Sequence, residues 1–165
     1  MNKLIFSCIL VFLGLTAATG TVFAQRETQT GYQVEKDLDL IRRDLRSEKK
    51  KIIAMNVPLT ETEATKFWPV YDEYAGAMSK HYDQFYALIK DYAANQKTLT
   101  DAQAAEMVTR WSDLQVQIAQ TRQKYVPIVG RTIPGRKAAL FFQIDRRLYS
   151  LMDLQIASEV PLVAQ

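Results

Sequence analysis

Few residues in this sequence have the types and the spacing that catalysis or metal binding requires. His81 is the only histidine and Cys8 the only cysteine among the 165 residues. A multi-histidine zinc site is therefore excluded, and we predict no Ser-His-Asp triad. A b-type haem held by His81 and either Met107 or Met152 is conceivable in a helical bundle, but no sequence feature selects those ligands. We predict no catalytic residue, no bound metal and no cofactor, and we expect a binding protein that is not an enzyme.

The acidic residues and the one glycine-rich segment also lack a catalytic pattern. Asp72 with Glu73, and Asp145 beside Arg146, have the spacing of ordinary charges on helix surfaces. The segment GRTIPG at 130–135 lacks the Gly-Lys-Ser/Thr ending of a phosphate-binding loop. We predict solvated side chains for the acidic pairs and a linker for the glycine-rich segment.

A short motif, Leu-Thr-x-x-Glu/Gln, occurs twice. Its residues are Leu59, Thr60 and Glu63 in the first copy and Leu99, Thr100 and Gln103 in the second. A helix leaves its first N–H groups without intrahelical partners, and a Thr at the N-cap accepts a hydrogen bond from one of them. The Glu or Gln three residues later reaches back to the N–H of the cap, which completes a capping box. We predict a helix start at each copy, and we favour this structural role over a binding role.

Aromatic residues recur at helical spacing after the first motif, and most of them are tyrosines. A phenol ring buries apolar area, but its hydroxyl requires a hydrogen-bond partner or water, so such a stripe suits a half-exposed surface. We predict that this face binds a partner through Trp68, Tyr71, Tyr74, Tyr82 and Tyr86. The alternative is that these rings lie at the boundary of the core with hydrated hydroxyls.

The segment before the first motif predicts an amphipathic helix that ends near Asn56, ahead of Pro58. Its apolar stripe consists of Val34, Leu38, Ile41, Leu45, Ile52 and Met55. Basic residues occupy its other faces, and we add Arg42, Arg43 and Lys49 to the predicted contact surface because they would attract acidic or flexible chains. A solvated face that complements the helix dipole is the favoured explanation of the lysine run.

Three further helices follow from the caps and from the apolar periodicity. The helix capped by Thr60 continues through Tyr92, with a kink or a short break expected at Pro69. The helix capped by Thr100 extends to about Tyr125 and forms an antiparallel hairpin with the preceding one. Its predicted apolar stripe consists of Val108, Trp111, Leu114, Ile118 and Tyr125.

The last helix opens near Pro134 and ends before Pro161. We expect its residues Phe141, Ile144 and Leu148 to form the drier part of the core. The sequence thus predicts an all-α fold of four principal amphipathic helices, arranged as bent hairpins or as a bundle.

The N-terminal segment has the three parts of a secretory signal peptide. Lys3 precedes an apolar run from Leu4 to Leu15, and the small-residue pattern ending at Ala24 fits a cleavage site. We predict a signal peptide over residues 1–24, a disordered lead-in over 25–33 and a single helical domain over 34–165.

Cleavage would remove Cys8 and one of the 21 basic residues, which leaves 20 basic and 18 acidic residues and no cysteine. A disulfide framework is therefore excluded from the mature chain, and its small net charge does not suit a nucleic-acid binder. The mature chain also lacks the roughly 20 consecutive apolar residues that a transmembrane helix needs. We predict an exported protein whose stability depends on packing alone.

The two motif copies, in an exported four-helix chain without cysteine, resemble the Spy and CpxP family of periplasmic proteins. The resemblance rests on Leu59-Thr60 with Glu63 and on Leu99-Thr100 with Gln103. It implies an ATP-independent chaperone or a stress-response accessory, built from long bent helices that assemble as a cradle-shaped dimer. The metal-binding histidines of some relatives have no counterparts in this sequence.

These observations lead us to expect a periplasmic, chaperone-like protein that binds unfolded or flexible clients through an amphiphilic helical surface. Aromatic rings would supply apolar contact area at a low entropic cost, and basic residues would speed the encounter. The alternative is a regulatory accessory protein that docks on the exported domain of a membrane sensor. One specific patch, instead of a broad face, would distinguish that alternative.

Overall fold

The structure, a computed structural model, describes Lys36, residues 48–160 and Leu162. The described chain is all-α and contains four helices. Helix α1 is described over residues 48–56, and α2 spans Glu61–Asn95, α3 spans Asp101–Gly130 and α4 spans Gly135–Glu159. The predicted four-helix fold class is therefore confirmed. The predicted signal peptide and lead-in, together with Arg42 and Arg43, lie outside the described residues.

Both predicted capping boxes are present at the starts of α2 and α3. The Thr60 hydroxyl accepts a hydrogen bond from the Glu63 N–H at 3.3 Å, and the Glu63 carboxylate accepts one from the Thr60 N–H at 2.8 Å. Thr100 and Gln103 repeat these contacts at 3.3 and 2.9 Å. Leu59, which precedes the first cap, is partly buried and packs against the core. The motif therefore determines where the two long helices begin.

Each long helix contains a proline in its interior. Pro69 lies within α2 and Pro127 within α3, so the predicted end of the third helix near Tyr125 is wrong by about one turn. Both prolines occupy exposed positions. A carbonyl that loses its intrahelical donor there is open to hydration, which lowers the cost of continuing the helix.

Contacts along the chain define an antiparallel bundle. In the hairpin of α2 and α3, Tyr74 packs against Tyr125, and His81 hydrogen-bonds Thr121 at 2.9 Å. The connection between these helices is closed by the Thr98 N–H, which donates to the Asn95 carbonyl at 2.9 Å. A short connection reverses the direction of the chain, so the two long helices pack antiparallel along their apolar faces. The predicted hairpin is confirmed.

Helices α2 and α4 run parallel on opposite sides of an aromatic core. Phe67 contacts Phe141, Tyr82 stacks on Tyr149 with ring centroids 4.4 Å apart, and Tyr86 contacts Met152. The residue numbers therefore rise together along the two helices. Phe141 is fully buried as predicted, whereas Ile144 and Leu148 are only partly buried. The rings fill the space between the two helices, so the core is more aromatic than the periodicity of α4 suggested.

The predicted apolar stripe of α1 is wrong by one residue in its described part. Lys49, Ile53 and Val57 are buried, Ile52 is only partly buried, and Met55 is exposed. The buried set has the four-residue spacing of one helix face. A lysine occupies the inward position because its ammonium group meets a carboxylate on α4 at 2.6 Å.

A substitution at the second cap tests the structural role of the motif. Thr100→Ala is expected to lower the free energy of unfolding by about 1 kcal/mol, because the Gln103 N–H then loses its partner. Thr100→Ser keeps a hydroxyl at this position and serves as the control, with little loss expected. Urea denaturation of the three proteins measures both values, and equal losses in the two variants would contradict the capping role.

Candidate functional site

The tyrosines predicted to form a half-exposed contact surface are buried. Tyr71, Tyr74, Tyr82 and Tyr86 are all in the core, and Trp68 is half-buried against it. The expectation of partly exposed rings with hydrated hydroxyls is therefore wrong for these tyrosines. The prediction fails because a tyrosine hydroxyl can form its hydrogen bond with a protein group as well as with water, and the fold supplies such groups.

Two of those protein partners lie on α4. The Tyr74 hydroxyl donates to an Asp145 carboxylate oxygen at 2.5 Å, and the Tyr86 hydroxyl contacts the Met152 sulfur at 2.7 Å. Burial raises the pKa of both Tyr74 and Tyr82 far above its usual value, and the negative charge of Asp145 adds to the rise at Tyr74. These phenols are therefore neutral and pack inside the bundle, and the Tyr74 hydroxyl acts as a hydrogen-bond donor.

A buried charge cluster surrounds Asp145, which is 0% exposed. One carboxylate oxygen lies 2.6 Å from the Lys49 ammonium, and the other lies 3.8 Å from the Arg122 guanidinium nitrogen. The Lys49 ammonium also lies 3.7 Å from the centre of the Tyr149 ring. The predicted solvated position of Asp145 and the predicted place of Lys49 in an exposed contact surface are both wrong, because the two side chains are buried and form an ion pair inside the bundle.

The electrostatics of Lys49 reflect competing effects. Burial lowers the pKa of Lys49 and the charge of Arg122 lowers it further, whereas attraction and hydrogen bonding to Asp145 raise it, and the net direction is downward. None of the residues of this cluster lines the cavity described below. We interpret the cluster as structural, because it joins side chains from all four helices without exposing any of them to a ligand site.

The two motif copies differ in their tertiary contacts. The Glu63 carboxylate accepts a hydrogen bond from the Lys137 ammonium of α4 at 2.6 Å, in addition to its capping bond. The contact with Lys137 and the bond from the Thr60 N–H lower the pKa of Glu63. Gln103 is exposed, and its hydrogen bonds are to Thr100 within its own cap. The first copy therefore links α2 to α4, which a neutral Gln could do only weakly.

A cavity of about 580 Å³ opens at the end of the bundle that lies away from the connection between α1 and α2. We call it the apolar groove. Helix α2 lines it with Phe85, Leu88, Ile89 and Tyr92.

The other walls of the apolar groove come from α3 and from the end of α4. Helix α3 contributes Met107, Val108, Trp111 and Gln115. The last wall consists of Asp153, Ile156, Ala157, Val160 and Leu162. Most of these side chains are apolar, and the volume is typical of cavities that bind ligands.

Two residues of the apolar groove are more exposed than their position on a core stripe predicted. Val108 is 51% exposed and Trp111 is 48% exposed, whereas Leu114, Ile118 and Tyr125 of the same predicted stripe are buried. The stripe on α3 is therefore divided: its second half packs in the core and its first half faces the groove. A large aromatic residue held half-exposed in a concave apolar site is typical of a binding surface.

Asp153 is the charged side chain in this lining. It is partly buried, and burial raises its pKa even though Arg122 and Arg146 act in the opposite direction. Its Oδ1 atom is buried and has no hydrogen-bond partner among the described residues. Asp153 thus adds one partly buried acidic side chain to a lining that is otherwise mostly apolar, which sequence periodicity alone does not reveal.

The described part of the chain contains neither a cluster of metal-binding side chains nor a membrane-spanning helix. Within it, no group of three or more His, Cys, Asp and Glu side chains is arranged to hold a metal ion. His81 faces Thr121 across the α2–α3 hairpin. Of the helices described, none combines the length and the apolar character required to cross a bilayer.

Comparison with known proteins gave no match to a family model, to a curated protein or to a solved structure. The resemblance to the Spy and CpxP family therefore rests on the two sequence motifs.

A double-mutant cycle tests the coupling inside the charge cluster. Lys49→Met and Asp145→Asn are each expected to lower the free energy of unfolding by about 3 to 5 kcal/mol, because each leaves the opposite charge buried without its main partner. The double variant is expected to lose clearly less than the sum of the two single losses. Chemical denaturation monitored by circular dichroism provides the three values.

The exposed ion pair of Lys50 with Asp72 provides a matched control, since its N–O distance is also 2.6 Å. Lys50→Met is expected to cost no more than about 1 kcal/mol, because water screens this pair. Small and additive losses at Lys49 and Asp145 would contradict the proposed coupling.

Proposed function

We propose that this protein is an exported, ATP-independent chaperone-like protein that binds apolar segments of unfolded or flexible clients in the apolar groove. The groove is the observation that carries the proposal, because it is a concave and mostly apolar surface formed between three helices of the bundle. Apolar segments are the parts of a client that are exposed when it is unfolded and buried when it folds. A site that binds these apolar segments for a short time hinders aggregation of the client, and no chemical step is needed.

The groove residues suit binding to clients of varied sequence. Met107 is flexible and polarisable, so it adapts to different apolar shapes. Trp111 provides a large ring with few rotatable bonds, so ordering it on binding costs little entropy. This combination supports contact with many sequences at moderate affinity, which a client-releasing protein requires.

Export and the family relationship belong to the same proposal. The signal-peptide pattern of residues 1–24 supports a periplasmic location, and the motifs at Leu59 and Leu99 support a relationship to the Spy and CpxP family. In this proposal the client surface is the apolar groove in place of the buried tyrosines. Arg42 and Arg43 stay in it as predicted basic contacts, and a homodimer stays a prediction of the family resemblance.

A second candidate is a regulatory accessory protein that docks on the exported domain of an envelope sensor. The concentration of apolar lining in one groove favours this candidate, because a single partner needs one specific patch. The two candidates share the binding site and differ in the range of sequences it accepts. Binding to unrelated denatured proteins therefore distinguishes them.

Substitution of Trp111 tests the proposed site. Trp111→Ser is expected to raise the protein concentration needed to suppress aggregation of a denatured client by roughly tenfold, because the ring supplies a central contact. Its free energy of unfolding is expected to change by no more than about 1 kcal/mol, since the ring is half-exposed. Light scattering of unrelated denatured proteins without ATP measures the first quantity, and thermal melts measure the second.

Two valines on α3 form a matched control pair. Val108 lines the groove and is 51% exposed, whereas Val116 does not line it and is 54% exposed. Val108→Ser is expected to weaken suppression and Val116→Ser to leave it unchanged. Equal effects of the two variants would contradict the groove as the client site. The second candidate would be favoured if the protein suppressed the aggregation of none of the unrelated clients but bound one sensor domain tightly.

A further inference from the structure

Helix α4 carries a second row of mostly apolar side chains besides the row that packs in the core. Its members, which we call the outer stripe, are Leu140, Ile144, Arg147, Leu151 and Leu154. They are separated alternately by four and three residues, which is the heptad spacing of helices that pack along a second helix. The outer stripe therefore has the pattern of a helix contact.

The second half of the outer stripe is not covered by the protein. Leu151 is 63% exposed and Leu154 is 68% exposed, whereas Leu140 and Ile144 are partly buried at the edge of the core. None of the five residues of the outer stripe lines the apolar groove. The outer stripe is thus a separate surface, and the regular spacing of its leucines distinguishes it from scattered apolar residues on a surface.

Arg147 occupies the centre of the outer stripe, with two apolar residues on either side. It is exposed and forms no ion pair or hydrogen bond among the described residues. Lys137, which lies earlier on α4, is instead bonded to Glu63. A charged residue at one position of an apolar seam selects the register and the partner, because the opposing position must supply the opposite charge.

We propose that the outer stripe binds an amphipathic helix of another protein that places a Glu or Asp opposite Arg147. The apolar residues of that helix pack against the leucines on both sides of Arg147, and its carboxylate pairs with the guanidinium group. A helix fits this surface because two helices inclined by about 20° stay in contact along a row of side chains spaced by four and three residues. This inference does not depend on the proposed function of the apolar groove.

A second copy of this chain does not meet the same requirement. Arg147 is the central member of the outer stripe, so a register that pairs all the apolar residues of two copies also brings their two Arg147 side chains together. This holds for parallel and for antiparallel copies. Like charges placed opposite each other in a contact oppose association. The partner is therefore a different chain, with an acidic residue in its apolar row.

The test uses two synthetic helical peptides of three heptads with Leu at positions a and d, which differ at one central position. That position is Glu in one peptide and Lys in the other. Fluorescence anisotropy with the full chain is expected to give an affinity at least about tenfold higher for the Glu peptide, because Glu attracts Arg147 and Lys repels it. Arg147→Glu is expected to reverse this preference. The variant is expected to fold, since the side chain is exposed.

Arg146→Glu is the matched control, because Arg146 is also exposed but lies outside the outer stripe. It is expected to keep the preference for the Glu peptide. Leu154→Ser is expected to weaken the binding of the Glu peptide, and Trp111→Ser, which changes the apolar groove, is expected to leave it unchanged.

Three results would overturn the inference. The first is equal binding of the two peptides to the unmodified protein, or a preference that persists in Arg147→Glu. The second is a loss of binding in Trp111→Ser but not in Leu154→Ser, since the peptide would then lie in the apolar groove. The third is binding of neither peptide, which would leave the proposed function of the groove standing, because denatured clients test that function separately.

Discussion

The buried carboxylate of Asp145 is the contact on which the arrangement of the bundle depends. It lies on α4 and meets Lys49 from α1, Tyr74 from α2 and Arg122 from α3. A carboxylate removed from water must be compensated by charge and hydrogen bonds, so any packing that separates these partners is strongly disfavoured. Apolar packing alone tolerates small rotations and shifts of helices, whereas this contact fixes the register of all four.

The same contact lies between two structurally different ends of the bundle. Toward the start of α2, rings of Phe67, Tyr71 and Phe141 interlock in a closed core. Beyond the charge cluster, toward the end of α2, the helices enclose the apolar groove instead of a filled interior. Asp145 and Asp153 are about two turns apart on α4. The closed end supplies rigidity, and the open end presents the apolar surface that the proposed function uses.

The two copies of the Leu-Thr-x-x-Glu/Gln motif perform the same local task in different tertiary surroundings. Each provides a capping box, but only Glu63 among the two capping side chains is also bonded to α4, through Lys137. The difference between Glu in the first copy and Gln in the second therefore has a physical reason, because the first position meets an ammonium group and the second faces solvent. Motif residues of this kind carry information about helix starts and about assembly, and the groove itself contains none of them.

The sequence by itself determined the elements of this fold. The capping residues Thr60 and Thr100, together with the periodicity of α2 to α4, established the number of helices, their starts and the hairpin of α2 with α3. These features depend on residues three or four positions apart, whose interactions are local.

Only the tertiary structure decided which side chains of each helix became core, charge cluster or groove. Periodicity identifies an apolar face, but it does not reveal that Lys49 meets Asp145, that Tyr74 finds its partner on α4, or that Trp111 remains half-exposed. Each outcome depends on a partner, or on an opening between neighbours, contributed by helices distant in the chain. Burying a lysine or a tyrosine hydroxyl without its partner is strongly unfavourable, and no local pattern in the sequence shows whether that partner is present.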